Sequence, residues 1–159
     1  MMNQEELIQR EYYAATANAY DAKHVAEDDE DGIALSYISP LLSAVGARSV
    51  LDVSCGTDRA LTFLTRKPPE LSLYGVEPVP ELLEQAVRNE IPRAALVQAS
   101  GFQLPLVAGS FDAVIECGVL RHVRDPSRVV TAMMRVARKG VFPSDHNIFG
   151  QRRASVRGY

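Results

Sequence analysis

Apolar positions along this chain fall into short runs separated by stretches of helical period. Ser49–Val53, Leu71–Val76, Ala94–Gln98 and Phe111–Glu116 read as four short strands, and Val141-Phe142 opens a fifth. Residues 3–20 read as a polar amphipathic helix with Leu7, Ile8, Tyr12 and Ala15 near one stripe. Ile33, Leu35, Ile38, Leu41, Leu42 and Val45 give a second helix, which Pro40 is placed to divide and Gly46 to end. Arg59–Arg66 carries Leu61, Phe63 and Leu64 and stops at Pro68-Pro69, while Pro80–Asn89 turns Leu82, Leu83, Ala86 and Val87 inward. Pro126 starts a last helix, Ser127–Arg138, with Val129, Val130, Met133, Met134, Val136 and Ala137 on it and Gly140 after it; the Met133-Met134 pair reads as core. The run Glu27–Asp31 reads as a solvated acidic linker closed by Gly32, and Pro143–Tyr159 as an irregular tail. Short strands alternating with helices predict an α/β fold, a doubly wound and mostly parallel sheet of about five strands with helices on both faces.

Composition narrows the function classes more than the fold. With 159 residues, 47% of them hydrophobic and 23% charged, the chain is the size and make-up of one globular domain. A net charge of −3 and a pI near 5.6 argue against a nucleic-acid or membrane-surface binder. No apolar run approaches the ~20 residues of a membrane helix, and the polar start MMNQEELIQREYY is no signal peptide. Cys55 and Cys117 lack metal-ligand spacing and fit reduced thiols of a cytoplasmic protein, packing residues rather than nucleophiles, so neither a zinc site nor a disulfide framework is expected.

In an open α/β sheet the ligand sits at the carboxyl ends of the strands, near the switch in strand order. The first strand ends Leu51-Asp52-Val53-Ser54-Cys55-Gly56-Thr57-Asp58, the second Tyr74-Gly75-Val76-Glu77-Pro78, the third leads to Ala99-Ser100-Gly101-Phe102, and the fourth ends Ile115-Glu116-Cys117-Gly118. Glu77 carries the most information. A carboxylate only accepts hydrogen bonds, so at a strand end it suits the two vicinal hydroxyls of a ribose. Glu77 follows Asp52 by about 25 residues, near the ~20-residue spacing of nucleotide-binding folds. A solvated turn glutamate is the competing reading. The turn after the first strand argues against a nicotinamide-dependent oxidoreductase: of the G-x-G-x-x-G positions, Ser54, Gly56 and Arg59, only one is glycine.

The segments VLDVSCGTDRAL, YGVEPVPELLEQA and LPLVAGSFDAVIECGVLRHVRDP, with the helix that follows and a weaker echo in Tyr20-Asp21, resemble class I S-adenosylmethionine-dependent methyltransferases. The similarity is to the subgroup that includes ubiquinone and menaquinone biosynthesis enzymes, and it covers roughly residues 48–142. It implies a Rossmann-like core at 48–142, N-terminal helices at 1–46 acting as a lid, and a tail at 143–159, all in one domain. It implies S-adenosylmethionine as cofactor and a small molecule as methyl acceptor. Asp52, Ser54 and Gly56 are expected along the methionine part, Glu77 on the ribose, Pro78 and Val79 against the adenine, Ser100 and Gly101 at the adenine edge, and Glu116–Gly118 beside the sulfonium. Tyr12, Tyr13 and Tyr20 are candidates for the lid's inner face. His122 is the one histidine near the site and a candidate base, although a histidine there more often shapes the loop. His24, His146 and the tail arginines Arg152, Arg153 and Arg157 have no assigned role.

The chain departs from the family's D-x-G-x-G-x-G loop. Ser54 and Asp58 stand at two of the three glycine positions, and Ser100 replaces the usual adenine-reading Asp. Asp58 either brings a carboxylate towards the cofactor's own carboxylate or caps the helix Arg59–Arg66 and points away. Relatives also continue past the fifth strand into a hairpin that closes the sheet edge. Three explanations stay open: a fragment, a minimal form, or an edge covered by a second copy or partner chain. The alternative to an active methyltransferase is a degenerate one that serves as a binding or scaffolding partner.

Overall fold

The computed structural model describes residues 4–21, 29–66 and 70–145. Pro68-Pro69, His24, the start of the acidic run, His146 and the tail arginines lie outside the described residues. Helix α1 (Gln4–Thr16) runs into a 3-10 turn (Ala17–Ala19), and α2 (Glu30–Ala44) leads to β1 (Ser49–Val53). Then come α3 (Arg59–Thr65), β2 (Ser72–Glu77), α4 (Pro80–Arg88), β3 (Leu96–Gln98), β4 (Phe111–Cys117), α5 (Pro126–Val136) and β5 (Ala137–Ser144). The five strands form one parallel sheet in the order β3-β2-β1-β4-β5. The chain starts at the centre, winds outward through β2 and β3, and returns to the far side through β4 and β5. The switch in winding direction therefore lies between β1 and β4, which places a crevice at their carboxyl ends.

Alternation along the central strands divides the core. Val50, Ala113 and Ile115 pack with Leu35, Ile38 and Leu42 of α2 and Ala60 and Leu64 of α3. Leu51, Val53 and Val114 pack with Val129, Met133 and Val136 of α5. A third cluster joins α3 and α4 through Leu61, Leu83, Ala86 and Cys55. Strands buried on both faces have no polar side to display, which is why they read as continuous apolar runs.

Several expectations from periodicity are corrected. Helix α2 is not divided at Pro40 but runs through it. The acidic run is not wholly a solvated linker: Asp29 caps α2 by accepting from Gly32 N at 3.0 Å, and Asp29 and Asp31 both pair with Arg59. The last helix stops at Val136, and β5 begins at Ala137, four residues before the expected Val141. Arg138 and Lys139 leave the helical path because both reach Asp112 at the base of β4, at 3.1 and 3.5 Å. Gly140 is then a strand residue, with the Phe142 ring lying where a side chain would be. Met133 is fully buried but Met134 is 65% exposed, so the pair is not core as a unit. In α1 the expected stripe Leu7, Ile8, Tyr12 and Ala15 faces outward, and Tyr13, Ala14 and Ala17 face the body.

Among the described residues β5 pairs only with β4. Ser144 O accepts from Gly118 N at 2.8 Å, so Ser144 faces β4 and Pro143 faces the open side. Proline offers no N–H there, a feature that discourages pairing along a bare edge.

Gly75 sets how closely β2 approaches the turn after β1. A Cβ at this position would lie 2.6 Å from Cys55 Sγ and 3.0 Å from a Leu96 methyl. Gly75→Ala is expected to cost about 2–3 kcal/mol through overpacking. Thermal melting should show it, and Cys55→Ala in the same chain should recover part of the loss by removing the sulfur.

Candidate functional site

The carboxyl ends of β1, β2 and β4 open into a cleft whose empty space, with the open solvent at its mouth included, is about 820 Å³. Ser54 and Gly56 line it from the turn after β1, Glu77, Pro78 and Val79 from the end of β2, and Ser100, Gly101 and Phe102 from the loop after β3. Cys117, Gly118 and Val119 line it from the end of β4, and His122 from the short turn beyond. Six of the eight expected cofactor residues thus meet in one cavity. The side chains of Asp52 and Glu116 do not line it. Asp52 lines a smaller recess behind the β1 turn with Tyr20, Asp31 and Arg59, and Glu116 is fully buried beneath Val119, whose N–H it accepts.

The turn after β1 is held by the sheet. Val76 O accepts from both Ser54 N at 2.7 Å and Cys55 N at 3.0 Å. Glu77 then bridges the two strand ends: Oε1 accepts from Val79 N at 3.0 Å and Oε2 from Gly56 N at 3.1 Å. It is 4% exposed and no solvated turn residue. Each oxygen keeps a lone pair for a second donor. Burial raises its pKa to about 7, against the lowering effect of the two backbone N–H groups. Burial likewise raises Glu116 to about 7 and pushes Asp52 well above the carboxylate range, helped by Glu116 and Glu77. Three carboxyl groups thus converge beneath the cleft. No cluster of acidic, histidine and cysteine residues among those described can hold a metal ion.

The two replaced glycines keep glycine-like backbone. Ser54 has φ 63° and Asp58 φ 105°, alongside Gly56 at 57°. Asp58 stands at the N-cap position of α3 but does not cap the backbone with its side chain. Its Oδ2 accepts from Thr62 Oγ1 and its Oδ1 from Asn89 Nδ2 at 3.0 Å. The carboxylate therefore points away from the cleft, although not through the capping bond that the sequence suggested. Asp58→Gly should consequently bring no gain in affinity for a ligand of the cleft, as titration of both proteins would show.

The N-terminal segment covers the cleft. Gln9, Arg10, Tyr13 and Tyr20 line it, and Tyr13 packs edge-on against Tyr20 with centroids 5.8 Å apart. Burial raises the Tyr20 hydroxyl to about 12, so it stays a donor. Tyr12 is 51% exposed and outside the cleft. His122 Nε2 accepts from Arg121 Nε at 3.0 Å. Burial and the Arg121 charge lower its pKa, so the ring is neutral and its proton sits on Nδ1. With Nε2 so engaged, the ring has no free basic nitrogen. Gln9 and Arg10 were not foreseen, because their polar character matches any exposed helix. Ser100 O accepts from Gln103 N at 3.0 Å, and Ser100 Oγ from Phe102 N at 3.3 Å, which shapes the loop after β3.

The methyltransferase-domain family matches residues 51–142, more than half of the chain, including the carboxyl ends of the strands that frame the cleft. The chain belongs to the methyltransferase-domain family. An uncharacterized methyltransferase of Mycobacterium sp. is 37% identical over 95 residues, which are 60% of this chain and 36% of that protein. A ubiquinone/menaquinone biosynthesis C-methyltransferase of Geobacter sp. is 34% identical over 102 residues, 60% of this chain and 43% of that one. A solved structure of a plantazolicin methyltransferase, in complex with a pentazolic desmethylPZN analog and SAH, superposes with a TM-score of 0.69 at 15% identity, covering 99% of this chain and 66% of that one. The chain thus spans about two fifths of the length of the curated relatives it matches, and its doubly wound sheet is the Rossmann-like methyltransferase fold.

Proposed function

We propose that this methyltransferase domain binds S-adenosylmethionine in the cleft and directs its methyl group to a small-molecule acceptor. The observation that carries the reading is Glu77, a buried carboxylate fixed between two strand ends by Gly56 N and Val79 N with acceptor capacity left towards the cavity. A ribose diol fits that capacity. Ser54 and Gly56 would follow the methionine part, Pro78 and Val79 would flank the adenine, and Ser100 and Gly101 would meet its edge. Asp52 and Glu116 would act from beneath, by shaping the floor rather than by touching the ligand.

When bound, S-adenosylmethionine supplies an electrophilic methyl carbon on a positively charged sulfur, to which an acceptor lone pair bonds as the carbon–sulfur bond breaks. The chain's part is alignment. Reacting atoms have to be held about 3–3.5 Å apart and in line, and the end of β4 with Val119 and His122 forms the wall where an acceptor would lie. The His122 Nδ1–H would orient an acceptor oxygen or nitrogen. Tyr13 and Tyr20 would close the mouth and exclude water.

A small-molecule acceptor, rather than a nucleic acid, suits the acidic chain and an enclosed cleft. The two thiols, Cys55 and Cys117, are unbridged, which suits a cytoplasmic setting; no described helix is long and apolar enough to cross a membrane. Of the features behind the degenerate alternative, Ser54 and Asp58 keep a glycine-like backbone conformation, which supports a working loop. Calorimetric titration with S-adenosylhomocysteine is the test. One site of micromolar affinity is expected, and no heat at millimolar ligand would remove the proposal.

A further inference from the structure

Asn89 closes α4 and reaches across to two other parts of the chain. Its Nδ2 lies 3.0 Å from Asp58 Oδ1, 3.2 Å from Thr57 O and 3.2 Å from Asp21 Oδ2. Gln85 Nε2 donates to Asn89 Oδ1 at 3.3 Å, which fixes the amide with its nitrogen towards the loop. The other Asp21 oxygen accepts from Thr57 Oγ1, so Asp21 meets both the loop and the helix end. One turn earlier on the covering segment, Asn18 Oδ1 accepts from Arg88 at 3.2 Å. The underside of that segment is apolar: Ala17 packs on Val79 and Leu82, with Tyr13, Ala14 and Tyr20 around them.

An amide nitrogen has two hydrogens, and here three acceptors converge on it. They belong to the cofactor loop (Thr57, Asp58) and to the covering segment (Asp21). The three meet only when loop and cover are both in place. Asp58 supplies one of them, from a position where the family's loop carries glycine.

We propose that Asn89 is a positioning residue that latches the covering segment, through Asp21, to the loop after β1, so that the cleft closes over a bound ligand only when that loop has its binding shape. Asp58 is then a working part of this chain's loop. The apolar contacts give the cover its seat, and the amide gives it register. The consequence for ligand release rests on the cofactor reading above, whereas the latch exists without ligand.

The test is hydrogen exchange of the ligand-free chain, followed by the dissociation rate of S-adenosylhomocysteine. Asn89→Leu removes the tie from one side, and Asp21→Ala removes it from the other together with the bond from Thr57 Oγ1. Asn89→Leu should speed exchange across residues 10–21 by about tenfold, the worth of one hydrogen bond to a charged group, Asp21→Ala by at least as much, and both should leave β1, β2 and β4 unchanged. The double variant should match Asp21→Ala, because the bond that Asn89→Leu breaks is one of the two that Asp21→Ala removes. Dissociation of S-adenosylhomocysteine should rise by a similar factor while association stays within about twofold. Asp58→Asn, which keeps an acceptor oxygen for Asn89, should stay near the parent, and Asp58→Ala should not. Exchange within about twofold of the parent in Asn89→Leu overturns the latch, and so does a double variant whose effect is the product of the singles. If Asn89→Leu loosens the strands as well, Asn89→Ala, which adds no apolar bulk at the helix end, decides by the same criterion. A parent that binds no S-adenosylhomocysteine but shows the exchange effects removes the proposed function and keeps the latch. Ligand binding with unaltered exchange does the reverse.

Discussion

Glu77→Gln is expected to weaken S-adenosylhomocysteine binding by about 100- to 1000-fold while the chain remains folded. Two ribose hydroxyls would donate to one carboxylate, and hydrogen bonds to a charged partner are worth about 1.5–3 kcal/mol each. Glutamine offers one acceptor oxygen where two are used. Its amide nitrogen would also face either Gly56 N–H or Val79 N–H, both of which now donate to the carboxylate at 3.1 and 3.0 Å. The loss thus has two sources, the missing contacts to ligand and a loop that no longer keeps its shape. The sheet beneath packs through its own apolar clusters and does not need this charge to form. Titration calorimetry measures the affinity, and melting of the ligand-free variant shows whether the fold is retained.

Stability and affinity should run in opposite directions with pH. Burial raises both Glu77 and Glu116 to about 7 in the folded chain, while the unfolded chain titrates near 4.3. Between those values the folded state binds more protons, so ligand-free stability is fully present below about pH 4.3 and falls as pH rises through 7. For Glu77 alone the difference amounts to on the order of 3 kcal/mol. Asp112 and Asp125 have lowered pKa values, so their contributions change only at more acidic pH. His122, lowered by burial, acts in the opposite sense below about 6.5 and offsets part of the fall. Affinity for S-adenosylhomocysteine needs ionised Glu77 and should therefore rise about tenfold from pH 6 to pH 8, the dependence of one group titrating near 7. Melting of the ligand-free chain and titrations at the two pH values check both halves. Glu77→Gln should flatten the affinity profile.

The sheet and the cleft were legible because their signals are local. Apolar runs ending in Asp52, Glu77 and Glu116 mark strands buried on both faces, with polar groups held back to the carboxyl ends. Glu77 was readable as a ligand group because its chemistry and its strand-end position agree. What the sequence hid depends on partners distant in the chain. Asp58 read as either a threat to the cofactor or a helix cap, since Asn89 and Thr62 could not be seen to claim its carboxylate. Asn89 read as the end of a helix. Arg138 and Lys139 continued a helical pattern until Asp112, a long-range partner, drew them into β5. The inner face of α1 was misread because Tyr13, Ala14 and Ala17 are no more apolar than Leu7, Ile8 and Tyr12, and only the seat on Val79 and Leu82 selects between the faces.

Determining the structure with S-adenosylhomocysteine soaked in tests the central claim most directly. The account predicts the ribose hydroxyls within about 3 Å of the two Glu77 oxygens, the usual hydrogen-bond distance. It also predicts the adenine between Val79 and the Ser100-Gly101 turn, with Asp58 still turned to Thr62 and Asn89. A cleft left empty at saturating ligand, or a ligand whose ribose lies away from Glu77, would contradict it.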